Sequence, residues 1–132
     1  MKLIFVDTSA FYAVMDRDDN NHDMARSSWP ELIRDQRLLT NNYVLVETTA
    51  LIQHRLGLAA LHAFSNDVLP LLRVEWVTEA GHRSALEALL TAGRKKLSLV
   101  DCVSFQTMRE CGVNSAFCFD THFKEQGFQI VP

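Results

Sequence analysis

Ile4-Phe5-Val6-Asp7-Thr8 and Phe117-Cys118-Phe119-Asp120-Thr121 carry one pattern twice: a short apolar run closed at once by Asp-Thr. A continuous apolar run of this length reads as a strand buried on both faces. In open parallel sheets, ligands bind beyond the carboxyl ends of the strands. Two aspartates at two such ends can converge on one cleft. Each also has a simpler use, because Asp is a favoured N-cap for a following helix. Taken singly, each reads as a cap; taken together, they read as a site.

Working outward, residues 8–15 read as a short helix and 16–21 as a polar loop. A helical stretch follows to about residue 36, which Pro30 should kink or divide. Residues 38–40 suit a short strand. Asn41 or Asn42 can cap a helix running to Leu56, with Gly57 as its stop. Residues 58–69 read as helical up to Pro70, and 73–77 alternate as an exposed strand does. Helices over 79–92 and 98–111 stop at Gly93 and Gly112. The second apolar run, 116–119, a helical turn over 122–126 and a last strand over 128–131 complete the series. Strands alternating with helices imply an α/β sandwich around a parallel sheet. No repeat or linker interrupts the 132 residues, so one domain over 1–132 is expected, with a core that needs no disulfide.

The net charge of −3 runs against the basic excess usual in nucleic-acid binders. That objection weakens if the acids gather around a cation, which reverses the local sign. Cys102, Cys111 and Cys118 are odd in number and form no Cys-x-x-Cys pair, so they read as buried free thiols. No apolar run approaches the roughly 20 residues of a membrane span. The opening Met1-Lys2-Leu3-Ile4-Phe5-Val6-Asp7 is too short for a signal peptide. A cytoplasmic protein, away from membranes, is expected.

Two more acids stand in apolar helices. Glu47 lies in Tyr43-Val44-Leu45-Val46-Glu47-Thr48-Thr49-Ala50-Leu51. A surface glutamate commonly has a basic residue four positions on. Here that position is Leu51, which suggests an inward face; periodicity equally admits a solvated outer one. Asp101 lies in Ser98-Leu99-Val100-Asp101-Cys102-Val103-Ser104-Phe105. Ser98 and Asp101 form a capping-box pattern, and the first turn of a helix can cap and face a cleft at once. Carboxylate oxygens suit Mg²⁺ or Mn²⁺. Such an ion lowers the pKa of a bound water and screens a phosphodiester's charge.

These segments resemble a known family. Val6-Asp7-Thr8-Ser9-Ala10-Phe11 resembles the opening of PIN domains, and the segment from Ser98 to Phe105 resembles their third-acid segment. Phe119-Asp120-Thr121-His122-Phe123, followed by Gln126-Gly127-Phe128, resembles their close. Glu47 stands where the family has its helical glutamate. The likeness runs from Leu3 to Pro132, and the single-domain length resembles the VapC toxins of toxin–antitoxin pairs. It implies a PIN-like three-layer sandwich, with a mostly parallel central sheet flanked by helices. It implies an Mg²⁺- or Mn²⁺-dependent endoribonuclease, a homodimer, and an antitoxin whose tail covers the active site. The catalytic metal ligands it implies are Asp7, Glu47, Asp101 and Asp120. Asp7 and Asp101 lead the set, and Glu47 and Asp120 bind a second ion or position water. Thr8 and Thr121 either steady carboxylates or water around them or support the local turns. Hydrolysis of this kind leaves 5′-phosphate and 3′-hydroxyl ends, whereas a histidine mechanism leaves 2′,3′-cyclic phosphate.

Other features are less telling. Arg94-Lys95-Lys96 reads as an RNA-backbone contact or as a solvated loop, and His122 as a substrate contact. Asp16-Arg17-Asp18-Asp19-Asn20 is no calcium loop, because Asn21 replaces the glycine of the sixth position and Ser27 the closing glutamate. Trp29 and Trp76 are expected in the core rather than stacked on bases. The helices around Leu32 and Ile33, and around Val44, Leu51 and Ile52, are candidate interface elements. An aspartyl phosphatase is disfavoured, since Ser9 stands where its second aspartate belongs, and a receiver-like domain fits two helical acids poorly. The alternative to catalysis is a PIN-like module that binds RNA or protein without cutting.

Overall fold

The computed structural model describes residues 2–132. The elements are β1 (Lys2–Val6), α1 (Thr8–Met15), α2 (His22–Asp35), β2 (Gln36–Asn41), α3 (Asn42–Leu56) and α4 (Leu58–Asp67). A 3-10 turn (Leu69–Leu71) leads to β3 (Leu72–Glu75), α5 (Glu79–Ala92), α6 (Leu99–Glu110), β4 (Ser115–Phe117), α7 (His122–Glu125) and β5 (Gln129–Val131). The strands form one sheet in the order β3-β2-β1-β4-β5, with all four pairings parallel. Helices flank it, as expected for an α/β sandwich.

The order turns at β1: β2 and β3 lie on one side of it, β4 and β5 on the other. The carboxyl ends of β1 and β4 therefore bracket the switch point, where open α/β sheets bind ligands. Phe5 and Val6 of β1 are buried, as a central strand requires, and Phe5 pairs with Leu39 on one side and Ala116 on the other. Phe11, Phe64, Phe117, Phe123 and Met108 fill the core around them. Trp29 of α2 packs half-buried against Phe117, and Phe105 of α6 meets Phe123 edge-on.

Several expectations change. Pro30 does not divide its helix but lies within α2. It sits on the exposed face, where solvent can take the Arg26 carbonyl that proline leaves without a donor. Trp76 is not in the core: it follows edge strand β3 and is 71 % exposed. Val44 and Ile52 are fully buried in the core, so they cannot line an interface. Cys102 and Cys118 are buried free thiols, but Cys111 is only partly covered.

Asn41 joins the sheet to two helices. It is fully buried, and its Oδ1 accepts the Val44 N–H at 2.9 Å as the cap of α3. Its Nδ2 donates to Ser104 Oγ at 3.3 Å and to Thr107 Oγ1 at 3.1 Å, both on α6. Asn41→Ala removes a cap worth about 1 kcal/mol. It also leaves buried polar groups without partners, at about 1–3 kcal/mol. Urea unfolding of Asn41→Ala should show a loss of about 2–4 kcal/mol; an unchanged midpoint would contradict this role.

Candidate active site and metal centre

β1 ends at Val6, and Asp7 follows in extended conformation as the N-cap of α1. Its Oδ2 accepts from the Ser9 N–H at 3.3 Å and the Ser9 hydroxyl at 2.8 Å. Ser9 Oγ in turn accepts the Phe119 N–H at 3.0 Å. One hydroxyl thus ties the first aspartate to the segment after β4 that carries the last. Asp7 is 5 % exposed. Burial pushes its carboxyl up to about 6, against the downward pull of the Ser9 bonds, and the nearby Asp101 and Asp120 add repulsion.

Asp101 reaches the same place from the first turn of α6. Both halves of the capping box form: the Asp101 N–H donates to Ser98 Oγ at 3.0 Å, and the Ser98 N–H to Asp101 Oδ2 at 3.1 Å. His122 opens α7, and its backbone N–H donates to Asp120 Oδ1 at 2.9 Å. Its ring Nδ1 lies 3.2 Å from Asp101 Oδ2 and 3.2 Å from Asp120 Oδ1. Ligand atoms of Asp101, Asp120 and His122 all lie within 4.8 Å of one another.

Asp7, Asp101 and Asp120 are therefore neighbours: Asp7 directly follows β1, Asp120 lies in the link between β4 and α7, and Asp101 is in the first turn of α6. Among the described residues, no lysine or arginine pairs with any of the three. Crowded carboxylates that no lysine or arginine neutralises fit a divalent ion, and their oxygens are the donors a hard cation takes. Cys118 is a buried thiol, and burial, with Asp7 nearby, pushes it up to about 12.

The remaining expected residues are placed differently. Glu47 is exposed, so the inward-facing carboxylate does not form. Its neighbour Thr48 is buried and donates to Thr8 Oγ1 at 3.1 Å, which puts this turn of α3 beside Asp7 while the Glu47 side chain faces solvent. Thr8 spends its hydroxyl on α3, facing the Val44 carbonyl at 3.5 Å, rather than on a carboxylate. Thr121 is exposed and makes no side-chain cap bond. Arg94 pairs with Glu125 of α7 at 2.8 Å, which ties its loop to the helix that His122 opens, with Lys95 and Lys96 exposed. Ser9 is the site residue that sequence reasoning passed over. Its signal was present in the Asp-x-Ser spacing, since a capping Asp accepts from the second residue of its helix.

A profile of the PIN domain matches residues 4–129 of this chain. The 23S rRNA-specific endonuclease VapC20 of Mycobacterium tuberculosis is 35 % identical over 127 residues, covering 96 % of this chain and 95 % of the relative. The crystal structure of M. tuberculosis VapC20, described as a sarcin-ricin loop cleaving toxin, has a TM-score of 0.86 at 33 % identity. That likeness covers 98 % of this chain and 99 % of that one. VapBC2 from Rickettsia felis, bound to a fragment of its promoter DNA, has a TM-score of 0.70 at 12 % identity, covering 98 % and 97 %, a likeness of fold.

Proposed function

The chain belongs to the PIN-domain family, and from that footing we propose that it is a metal-dependent endoribonuclease of the VapC toxin type. The observation that carries this reading is the convergence of Asp7, Asp101 and Asp120 at the sheet's switch point. Mg²⁺ or Mn²⁺ is the proposed cofactor. When bound, the ion supplies Lewis-acid assistance at phosphorus and screens the phosphodiester's charge. Ser9 holds Asp7, and Ser98 holds Asp101, so that their carboxylates are oriented before substrate arrives. Glu47 is exposed and adjoins Thr48, which bonds Thr8 beside Asp7, and its carboxylate joins the site when the side chain turns toward the cleft. Lys95 and Lys96, on the loop pinned by Arg94, hold the RNA backbone.

The proposed substrate is 23S ribosomal RNA at the sarcin-ricin loop, by analogy with the VapC20 relative. The proposed setting is the cytoplasm, as one domain over 1–132 that forms a homodimer and is neutralised by an antitoxin protein. No helix among the described residues is long and apolar enough to cross a membrane. The exposure of Glu47 favours the second reading, a non-catalytic module that holds RNA or protein.

Incubation with intact ribosomes and Mg²⁺, followed by mapping of RNA ends, separates these readings. One cut in 23S rRNA with 5′-phosphate and 3′-hydroxyl ends is expected. Ends carrying 2′,3′-cyclic phosphate would refute metal-assisted hydrolysis, and binding without cleavage would favour the module.

A further inference from the structure

We infer that His122 is a nitrogen ligand of the metal site, and that this nitrogen makes the site select Mn²⁺ over Mg²⁺. This deepens the ribonuclease reading and rests on it for the need of a cation. With Glu47 turned to solvent, the groups gathered at the cleft are three carboxylates and one imidazole. The imidazole is 15 % exposed and is anchored at both sides: its backbone N–H is held by Asp120, and the next residue, Phe123, is fully buried.

The spacing is long for a charge-assisted hydrogen bond and matches that of two ligands on one ion. Nδ1 is 3.2 Å from one oxygen of each of two carboxylates. A charge-assisted N–H···O bond is shorter, about 2.7–2.9 Å. Neighbouring ligands of an octahedral ion with bonds of about 2.1 Å lie about 3.0 Å apart, close to the observed value. A neutral imidazole carries one ring proton. With that proton on Nε2, Nδ1 presents a lone pair toward the point the two carboxylate oxygens share. Mg²⁺ takes oxygen ligands almost exclusively, whereas Mn²⁺ accepts oxygen and also stands on the series in which nitrogen donors strengthen binding. One imidazole among carboxylates therefore tilts the choice without excluding either ion.

The test uses the full chain without RNA. Electron spin-echo spectroscopy of bound Mn²⁺ should show ¹⁴N modulation that His122→Ala abolishes. His122→Ala should weaken Mn²⁺ binding by about tenfold or more, at least the affinity loss seen for outer-shell partners, and in Mn²⁺/Mg²⁺ competition its preference for Mn²⁺ should shrink. His122→Asp, which restores an oxygen donor, should shift the preference further toward Mg²⁺, with circular dichroism confirming that both variants fold. Mn²⁺ bound without nitrogen modulation, or an unchanged preference in His122→Ala, overturns the inference. If such a chain still cuts RNA, the nuclease reading survives alone. Cleavage in EDTA overturns both, whereas nitrogen-coupled Mn²⁺ in a chain that cuts no RNA upholds the ligand and refutes the nuclease.

Discussion

Asp101→Asn and Asp101→Ala should both reduce RNA cleavage by at least about 10²–10³-fold, the loss expected when a group that fixes transition-state charge is removed. Yet the two variants should differ in stability. Asp101 Oδ2 accepts the Ser98 N–H, and Asn keeps an oxygen for that bond while Ala does not. Ala should therefore cost about 1 kcal/mol more than Asn, the usual size of a capping interaction. Single-turnover cleavage beside urea unfolding separates the two roles. Activity that tracked stability across the pair would mean that Asp101 only caps α6.

Asp7→Asn should make the metal-free protein more stable at neutral pH, although it removes the ligand. The Asp7 carboxyl titrates at 3.8 in its ordinary state and near 6 when folded, chiefly because it is buried. The folded chain thus binds this proton more tightly than the unfolded chain. The stability this gives is fully present below about pH 4 and lost as pH rises to about 6. A rise of that size corresponds to about 3 kcal/mol. In EDTA, the wild type should lose up to that amount across this window, and Asp7→Asn should lack the slope. Added Mg²⁺ or Mn²⁺ should stabilise the wild type more than Asp7→Asn, because a chain that binds the ion more tightly gains more from it. A pH-independent wild type in EDTA would contradict the buried, charge-crowded Asp7.

Much of this site was legible from local pattern. An apolar run ending in Asp marked β1, and the run before Asp120 marked β4, although that strand is shorter than read and ends at Phe117. Ser98 and Asp101 formed the capping box their spacing announced. Gly93 closes α5 with a φ of 61, a left-handed turn that glycine adopts without strain.

Glu47 was not legible, for a geometric reason. The buried stripe of α3 runs through Val44, Thr48 and Ile52, four residues apart, and Glu47 falls one residue off it. Because Val46 and Ala50 are exposed on the same helix, apolar residues surround Glu47 on both faces and the sequence pattern loses its contrast. Trp76 follows the same logic, since an apolar residue after an edge strand has nothing above it to cover it. The Ser9 bond to Phe119 spans 110 residues, and the meeting of His122 with Asp101 spans 21. Contacts of that range arise from the strand order, which no local spacing records.

The most direct test is cleavage of a labelled RNA pool, including cellular RNA from an arrested expression host, in Mg²⁺, Mn²⁺ or EDTA. A folded Asp7→Ala/Asp101→Ala double variant serves as the control. Cleavage that requires the ion and vanishes in the variant is the predicted result. Cleavage that persists in EDTA, or in the double variant, would contradict the assignment of these acids to a catalytic metal centre.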